Sequence, residues 1–176
     1  MAKGIHQTSY FSHLISNLYF YSMSELAHLT GILEQMRKFC GYRDRCHREV
    51  RSKLLKLRVY GDDLEAVMSE LIREDYLNEE RFARSFARGK FRINHWGRRR
   101  ITMELKRRDV SDYCIRRGLE EIDDEEYLAV IDDAIARKIT DMADWATRKK
   151  VHDFLVRRGF EQPLVLERIN RYVNSV

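Results

Sequence analysis

Six apolar positions recur three times along this chain with the same internal spacing, and that recurrence limits the fold more than any other feature. Val50, Leu54, Val59, Leu64, Met68 and Leu71 form the first set; Ile101, Leu105, Val110, Ile115, Leu119 and Ile122 the second; Val151, Leu155, Phe160, Val165, Ile169 and Tyr172 the third. In each set the offsets are 0, 4, 9, 14, 18 and 21, and the sets begin 51 and 50 residues apart. Offsets 0 and 4 mark one helical face, 14, 18 and 21 mark a second helix, and 9 falls in the connection between them. A further apolar-periodic segment precedes each pair: Ile32 to Phe39, Phe82 to Phe91, and Leu128 to Ile139. The repeating unit is therefore read as three helices.

Composition agrees. One proline, eight glycines and 35% charged residues in 176 suit helices better than sheets, whose turns draw more heavily on Gly, Pro and Asn-Gly, and 44% hydrophobic content is enough for a core. The expected fold class is all-α: three tandem three-helix repeats, stacked on their neighbours into an elongated molecule. The repeats are placed at 31–76, 77–122 and 123–176, after an N-terminal extension over 1–30. Within that extension residues 1–22 share no pattern with the repeats and read as a leader from an upstream start codon, whereas Ser24 suits the N-cap of the first helix. Asp62, Asn78 and Ser111 are further N-cap candidates. Pro163 fits an early helical position, and Gly159 can close a helix. Trp96 and Trp145 precede the middle helices of the second and third repeats at nearly equivalent positions and are expected to seal those junctions.

Charge is distributed unevenly. Between Arg81 and Arg117 stand 13 Lys and Arg against Glu104, Asp109 and Asp112, a local balance of +10, which leaves −5 for the rest of a chain whose net charge is +5. At about 100° per residue, Phe82 and Phe86 fall on one face of a helix opening after Asn78, and Arg81, Arg84, Arg88 and Arg92 gather in a stripe away from it. On the next helix Ile101 and Leu105 define the buried face. Arg99 and Lys106 then point outward, with Arg100 and Arg107 beside them and Met103 between the pairs. Two basic helical faces in one repeat favour an anionic partner, and the excess of arginine suits bidentate contact with phosphate or carboxylate.

Other chemistry is less well supported. Three cysteines, an odd number without framework spacing, point to a reducing compartment and a cytoplasmic protein. No apolar run reaches transmembrane length, so no membrane partner is expected. Asp123, Asp124, Glu125 and Glu126 read as the acidic opening turn of a helix rather than a metal site. Cys40, Cys46 and His47 lack paired ligand spacing. There is no P-loop, nucleophile elbow or HExxH, and neither an enzyme nor a cofactor is expected.

Three stretches, YLNEERFARSFARGKFR from Tyr76, WGRRRITMELKRRDVS from Trp96 and KKVHDFLVRRGFEQPLV from Lys149, resemble the RecX family of bacterial recombination regulators. The likeness runs from about Glu34 to Tyr172. It implies tandem three-helix repeats and a non-enzymatic monomer that lies in the groove of the RecA filament on DNA and hinders filament growth, ATP hydrolysis and strand exchange. Arg81, Arg84, Arg88, Arg92, Arg99, Arg100, Met103, Lys106 and Arg107 are the expected contacts to RecA or to single- or double-stranded DNA. The alternative is an arginine-rich DNA-binding module for which RecA contact is secondary.

If the recurring positions are core, Leu105→Asp forces an unpaired carboxylate into an apolar site at a cost of several kcal/mol. Thermal melting by circular dichroism should show the middle repeat unfolded; an unchanged melt would reject the register.

Overall fold

The computed structural model describes residues 27–138 and 144–174. Every regular element among them is a helix. The first repeat contains α1 (27–41), α2 (His47–Lys56) and α3 (Gly61–Arg73); the second α4 (Glu79–Asn94), α5 (Arg98–Lys106) and α6 (Asp112–Leu119); the third α7 (Asp124–Lys138), α8 (Trp145–Arg157) and α9 (Gln162–Asn174). All the recurring apolar positions are buried except Leu119 and Tyr172, which pack half-buried against the core.

Contacts divide the chain into two compact units. One holds the described residues up to Arg43 together with Val50–Leu77; the other holds Asp44–Glu49 and everything described from Asn78 onward. In the first, Ile32, Met36 and Cys40 of α1 meet Val50 and Leu54 of α2 and the Leu64, Val67, Met68 and Leu71 face of α3. Arg37 closes its rim by donating from Nε to Glu74 Oε2 at 2.7 Å. In the second unit a single core runs through α4 to α9, so the second and third repeats share one interior.

The same backbone turn joins the middle and last helices of every repeat. Arg58, Asp109 and Gly159 hold equivalent positions and have φ of 61°, 58° and 92°. The amide after each donates to the carbonyl five residues earlier: Val59 to Leu54 at 3.1 Å, Val110 to Leu105 at 3.2 Å and Phe160 to Leu155 at 3.2 Å. These are Schellman closures, and the two side chains that the bond brings together are recurring core residues. Only Gly159 advertises such a turn in sequence; Arg58 and Asp109 adopt it despite their Cβ.

Helix starts follow the expected chemistry in most places. Asn78 Oδ1 accepts from the Arg81 amide at 2.9 Å, Ser111 Oγ from Cys114 at 3.3 Å, and Asp123 Oδ1 from Glu126 at 2.8 Å. Pro163 is the second residue of α9. Asp62 is not a cap: α3 begins one residue earlier behind Tyr60, and Asp62 and Asp63 occupy its first turn, facing the helix dipole. Trp145 is also corrected. It begins α8, whose Asp144 cap accepts from Ala146 and Thr147, and is 67% exposed, whereas Trp96 precedes α5 and packs against the core. α8 has 13 residues to α5's nine, so the two rings do not hold equivalent places. Ser24 and Ile139 lie outside the described residues.

Two glycines permit the closest approaches in the second unit. The Gly97 amide donates to the Arg158 carbonyl at 2.9 Å and the Arg99 amide to the Gly159 carbonyl at 3.1 Å. A Cβ on Gly97 would stand 2.2 Å from the Gly159 backbone. Gly118 lets α6 reach α4, where a Cβ would meet the Ala83 carbonyl oxygen at 2.8 Å. Beside the Gly97 crossing Tyr127 is buried between Phe91 and Phe160, its hydroxyl accepting from the Arg98 amide at 3.1 Å and donating to Glu161 at 2.7 Å. Burial, reinforced by Glu161, pushes its phenol well above the ordinary range.

Gly97→Ala should therefore destabilise by several kcal/mol, because backbone faces the new methyl. Gly89→Ala, mid-helix in α4 with nothing within 4 Å, should stabilise by roughly 1 kcal/mol. Urea unfolding midpoints of the two variants check both signs.

Candidate functional site

The basic stripe of α4 is not a bare cationic surface. Arg81 Nε donates to Asp44 Oδ1 at 2.9 Å, and Ser85 Oγ donates to the other oxygen of the same carboxylate. Arg84 bridges Glu80 at 2.9 Å and Glu121 at 2.6 Å; Arg88 reaches Glu121 at 3.3 Å and Arg92 reaches Glu126 at 3.4 Å. Helical periodicity correctly keeps these arginines out of the apolar face, which is Phe82, Ala83, Ala87 and Phe91. Apart from Glu80, one turn back on α4 itself, the carboxylates come from the segment before α2, from the end of α6 and from the start of α7, too far along the chain for periodicity to reveal them.

Glu79 adds a further tie between helix ends. It accepts from Ser111 Oγ at 2.7 Å, which joins the first turn of α4 to the cap of α6. Burial pulls its carboxyl upward, but hydrogen bonds from Ser111 and Cys114 outweigh this and hold it below the usual carboxylate range. Its stabilising share is complete above the unfolded carboxylate value and is lost as pH falls through the lower folded one. Burial raises the Cys46 and Cys114 thiols, so both behave as core residues rather than nucleophiles. Among the described residues no group of three His, Cys, Asp or Glu is placed to hold a metal ion.

On α5 the arrangement differs. Arg99, Met103, Lys106 and Arg107 are exposed. Lys106 faces Asp112 at 3.1 Å and Arg107 faces Glu104 at 3.1 Å, but these pairs are open to water and weakly held. Arg100 is half-buried and lies over the Trp96 ring at 4.0 Å. Lys90 reaches the same ring at 5.0 Å and the Phe86 ring at 5.5 Å, and Arg108 covers Phe86 at 4.9 Å. The hydrogen bond from Arg108 holds Glu104 below the usual carboxylate range. Phe86, its ring 5.8 Å from that of Phe82 and packed half-buried against the core, thus also supports two cations. The i, i+4 pairs Phe86/Lys90 and Trp96/Arg100 were the sequence signal for this run.

Of the 13 cations between Arg81 and Arg117, nine meet a carboxylate. Lys90, Arg99, Arg100 and Arg116 have none among the described residues. The candidate face is therefore centred on α5 and the end of α4.

The profile described as "RecX, second three-helix domain" matches residues 78–119, which are α4 to α6. A protein named Regulatory protein RecX from Lactobacillus gasseri is 30% identical over 142 residues, covering 75% of this chain and 51% of that protein. One of the same name from Prosthecochloris aestuarii is 26% identical over 139 residues, covering 78% of this chain and 90% of the relative. This chain belongs to the RecX family. The crystal structure of RecX from Lactobacillus salivarius superposes with a TM-score of 0.76 at 17% identity, covering 84% of this chain and 97% of that one, and shows the shared RecX fold. The chain spans about half the length of the Lactobacillus RecX relatives that it matches in sequence. Among the described residues no helix is long and apolar enough to cross a membrane.

Glu121 is shared by Arg84 and Arg88, so Glu121→Gln should release Arg88, leave Arg84 held by Glu80 alone, and raise the salt concentration at which the protein leaves a heparin column. Elution at the parent position would mean that the two arginines were already available.

Proposed function

We propose that this chain is a non-enzymatic regulator of RecA that binds the RecA filament on DNA and inhibits filament growth, ATP hydrolysis and strand exchange. Membership of the RecX family carries the reading, since the relatives bear the name Regulatory protein RecX and the matched domain, residues 78–119, holds most of the local positive charge. The chain acts in this reading as a cytoplasmic monomer without a cofactor. Arg99, Arg100, Met103, Lys106 and Arg107 make the contact. Arg81, Arg84, Arg88 and Arg92 flank it and exchange carboxylates of their own chain for groups of the partner.

A second reading, in which the basic repeat binds DNA directly and RecA contact is secondary, is favoured by cations held against aromatic rings rather than carboxylates. Salt separates the two, because phosphate contacts weaken steeply as counterions compete and apolar groove contacts weaken less.

The test is ATP hydrolysis by RecA filaments on single-stranded DNA, titrated with the purified protein. Wild type should inhibit, and Arg99→Glu/Lys106→Glu should need at least about tenfold more protein for the same inhibition, a loss of about 1.4 kcal/mol, with helicity unchanged. Arg84→Glu/Arg88→Glu should also weaken inhibition, and should lower the melting temperature because Glu121 loses both of its partners and Glu80 keeps only Arg117. No effect of wild type at saturation would refute the reading. Nucleic-acid cleavage in Mg²⁺ would overturn its non-enzymatic part.

A further inference from the structure

Five half-buried side chains form an alternating run on the basic repeat: Arg100, Trp96, Lys90, Phe86 and Arg108. The cation-to-centroid distances along it are 4.0, 5.0, 5.5 and 4.9 Å. We propose that this run is a docking site for single-stranded nucleic acid, with phosphates on Lys90 and Arg100 and a base stacked against the Trp96 and Arg100 pair.

The first argument is charge. A carboxylate that holds an arginine cancels it, which is the situation along the α4 stripe. An aromatic ring attracts the cation through its quadrupole and leaves the net charge whole. Lys90 and Arg100 are thus ordered, desolvated on one side and still fully cationic. Much of the side-chain ordering that a phosphate contact demands is already in place.

Rigidity is the second. Trp96 and Arg100 lie on either side of the Gly97 crossing, where amides of Gly97 and Arg99 are bonded to the Arg158 and Gly159 carbonyls. The Arg99 bond and that from the Arg98 amide to the Tyr127 hydroxyl occupy the first two amides of α5, so this helix does not offer them to a phosphate.

The third argument is the alternation itself. Single strands present a base and a phosphate in turn, and sequence-tolerant binders meet them with aromatic or guanidinium planes and cations in turn. An acidic peptide needs only the cations, and a duplex keeps its base faces stacked. This inference deepens the DNA-contact side of the proposed function and can be tested without RecA.

The chain has two tryptophans, and Trp145→Phe leaves Trp96 as the sole indole. In that background a thymidine oligonucleotide should quench Trp96 emission. Lys90→Gln/Arg100→Gln should weaken binding at least about tenfold and flatten the logarithmic salt dependence by about 1.4, roughly 0.7 for each lost phosphate contact. Arg100→Lys keeps the charge without the plane, so it should retain most of the salt dependence and lose most of the quenching. Arg51→Gln/Arg73→Gln, which removes two carboxylate-paired cations of the first repeat, should leave affinity within about twofold, which is within about 0.4 kcal/mol. Far-ultraviolet circular dichroism checks that each variant is folded.

Unchanged affinity in the Lys90 and Arg100 variant overturns the proposal. So does an abasic strand that binds as tightly as thymidine with Trp96 unquenched, or polyglutamate that displaces the oligonucleotide at equal charge, which would assign the face to an acidic protein. Loss of oligonucleotide binding leaves inhibition of RecA ATP hydrolysis to stand or fall separately.

Discussion

The second unit depends on a place where two backbones touch. At Gly97 and Gly159 the start of α5 meets the end of α8 with no side chain between them, and two amides bond directly to two carbonyls. The positive end of one helix dipole thus lies against the negative end of another. From this crossing the Arg98 amide reaches the Tyr127 hydroxyl, and Tyr127 in turn reaches Glu161 before α9. Phe91, Tyr127 and Phe160 then bring α4, α7 and the α8–α9 turn around one aromatic centre. The second and third repeats share a core because this contact leaves no room for a boundary.

Much of this was legible from spacing. The recurring apolar positions became core because helical period and burial are the same constraint expressed twice. Asn78 and Ser111 were legible as caps because their side chains reach only a few residues ahead, whereas Asp123, read only as part of an acidic first turn, is the cap itself. The shared turn was hidden at Arg58 and Asp109, where tertiary packing of the flanking core residues overrides the usual preference for glycine. Trp145 was misjudged because a near-repeat in sequence differs by one position, and on a helix one position changes the face. The α4 arginines were correctly kept off the core, but their partners Asp44, Glu121 and Glu126 are distant in sequence, where a local period carries no information.

The charge pattern reads differently in three dimensions. The basic block from Arg81 to Arg117 and the acidic block after it resemble two surfaces for two partners when viewed as a string. Glu121, Asp124 and Glu126 from the acidic block instead pair with Arg84, Arg88, Arg98 and Arg92. Much of the positive charge is internal mortar. What remains for an outside partner is smaller and better defined: cations on rings near Trp96 and exposed cations along α5.

The left-handed turn shared by the three repeats has another consequence. A residue with a Cβ carries about 1–2 kcal/mol of local strain in that conformation, and glycine carries almost none. The third repeat makes the turn without strain, while the first and second hold Arg58 and Asp109 in it. At Asp109 the strained residue also meets the first repeat, its carboxylate standing 3.7 Å from Arg48 of α2. Units built on one plan therefore differ in internal tension: a single codon can relax it at Arg58 or Asp109, whereas Gly159, where a Cβ would stand 2.4 Å from that of Arg100, is held to glycine.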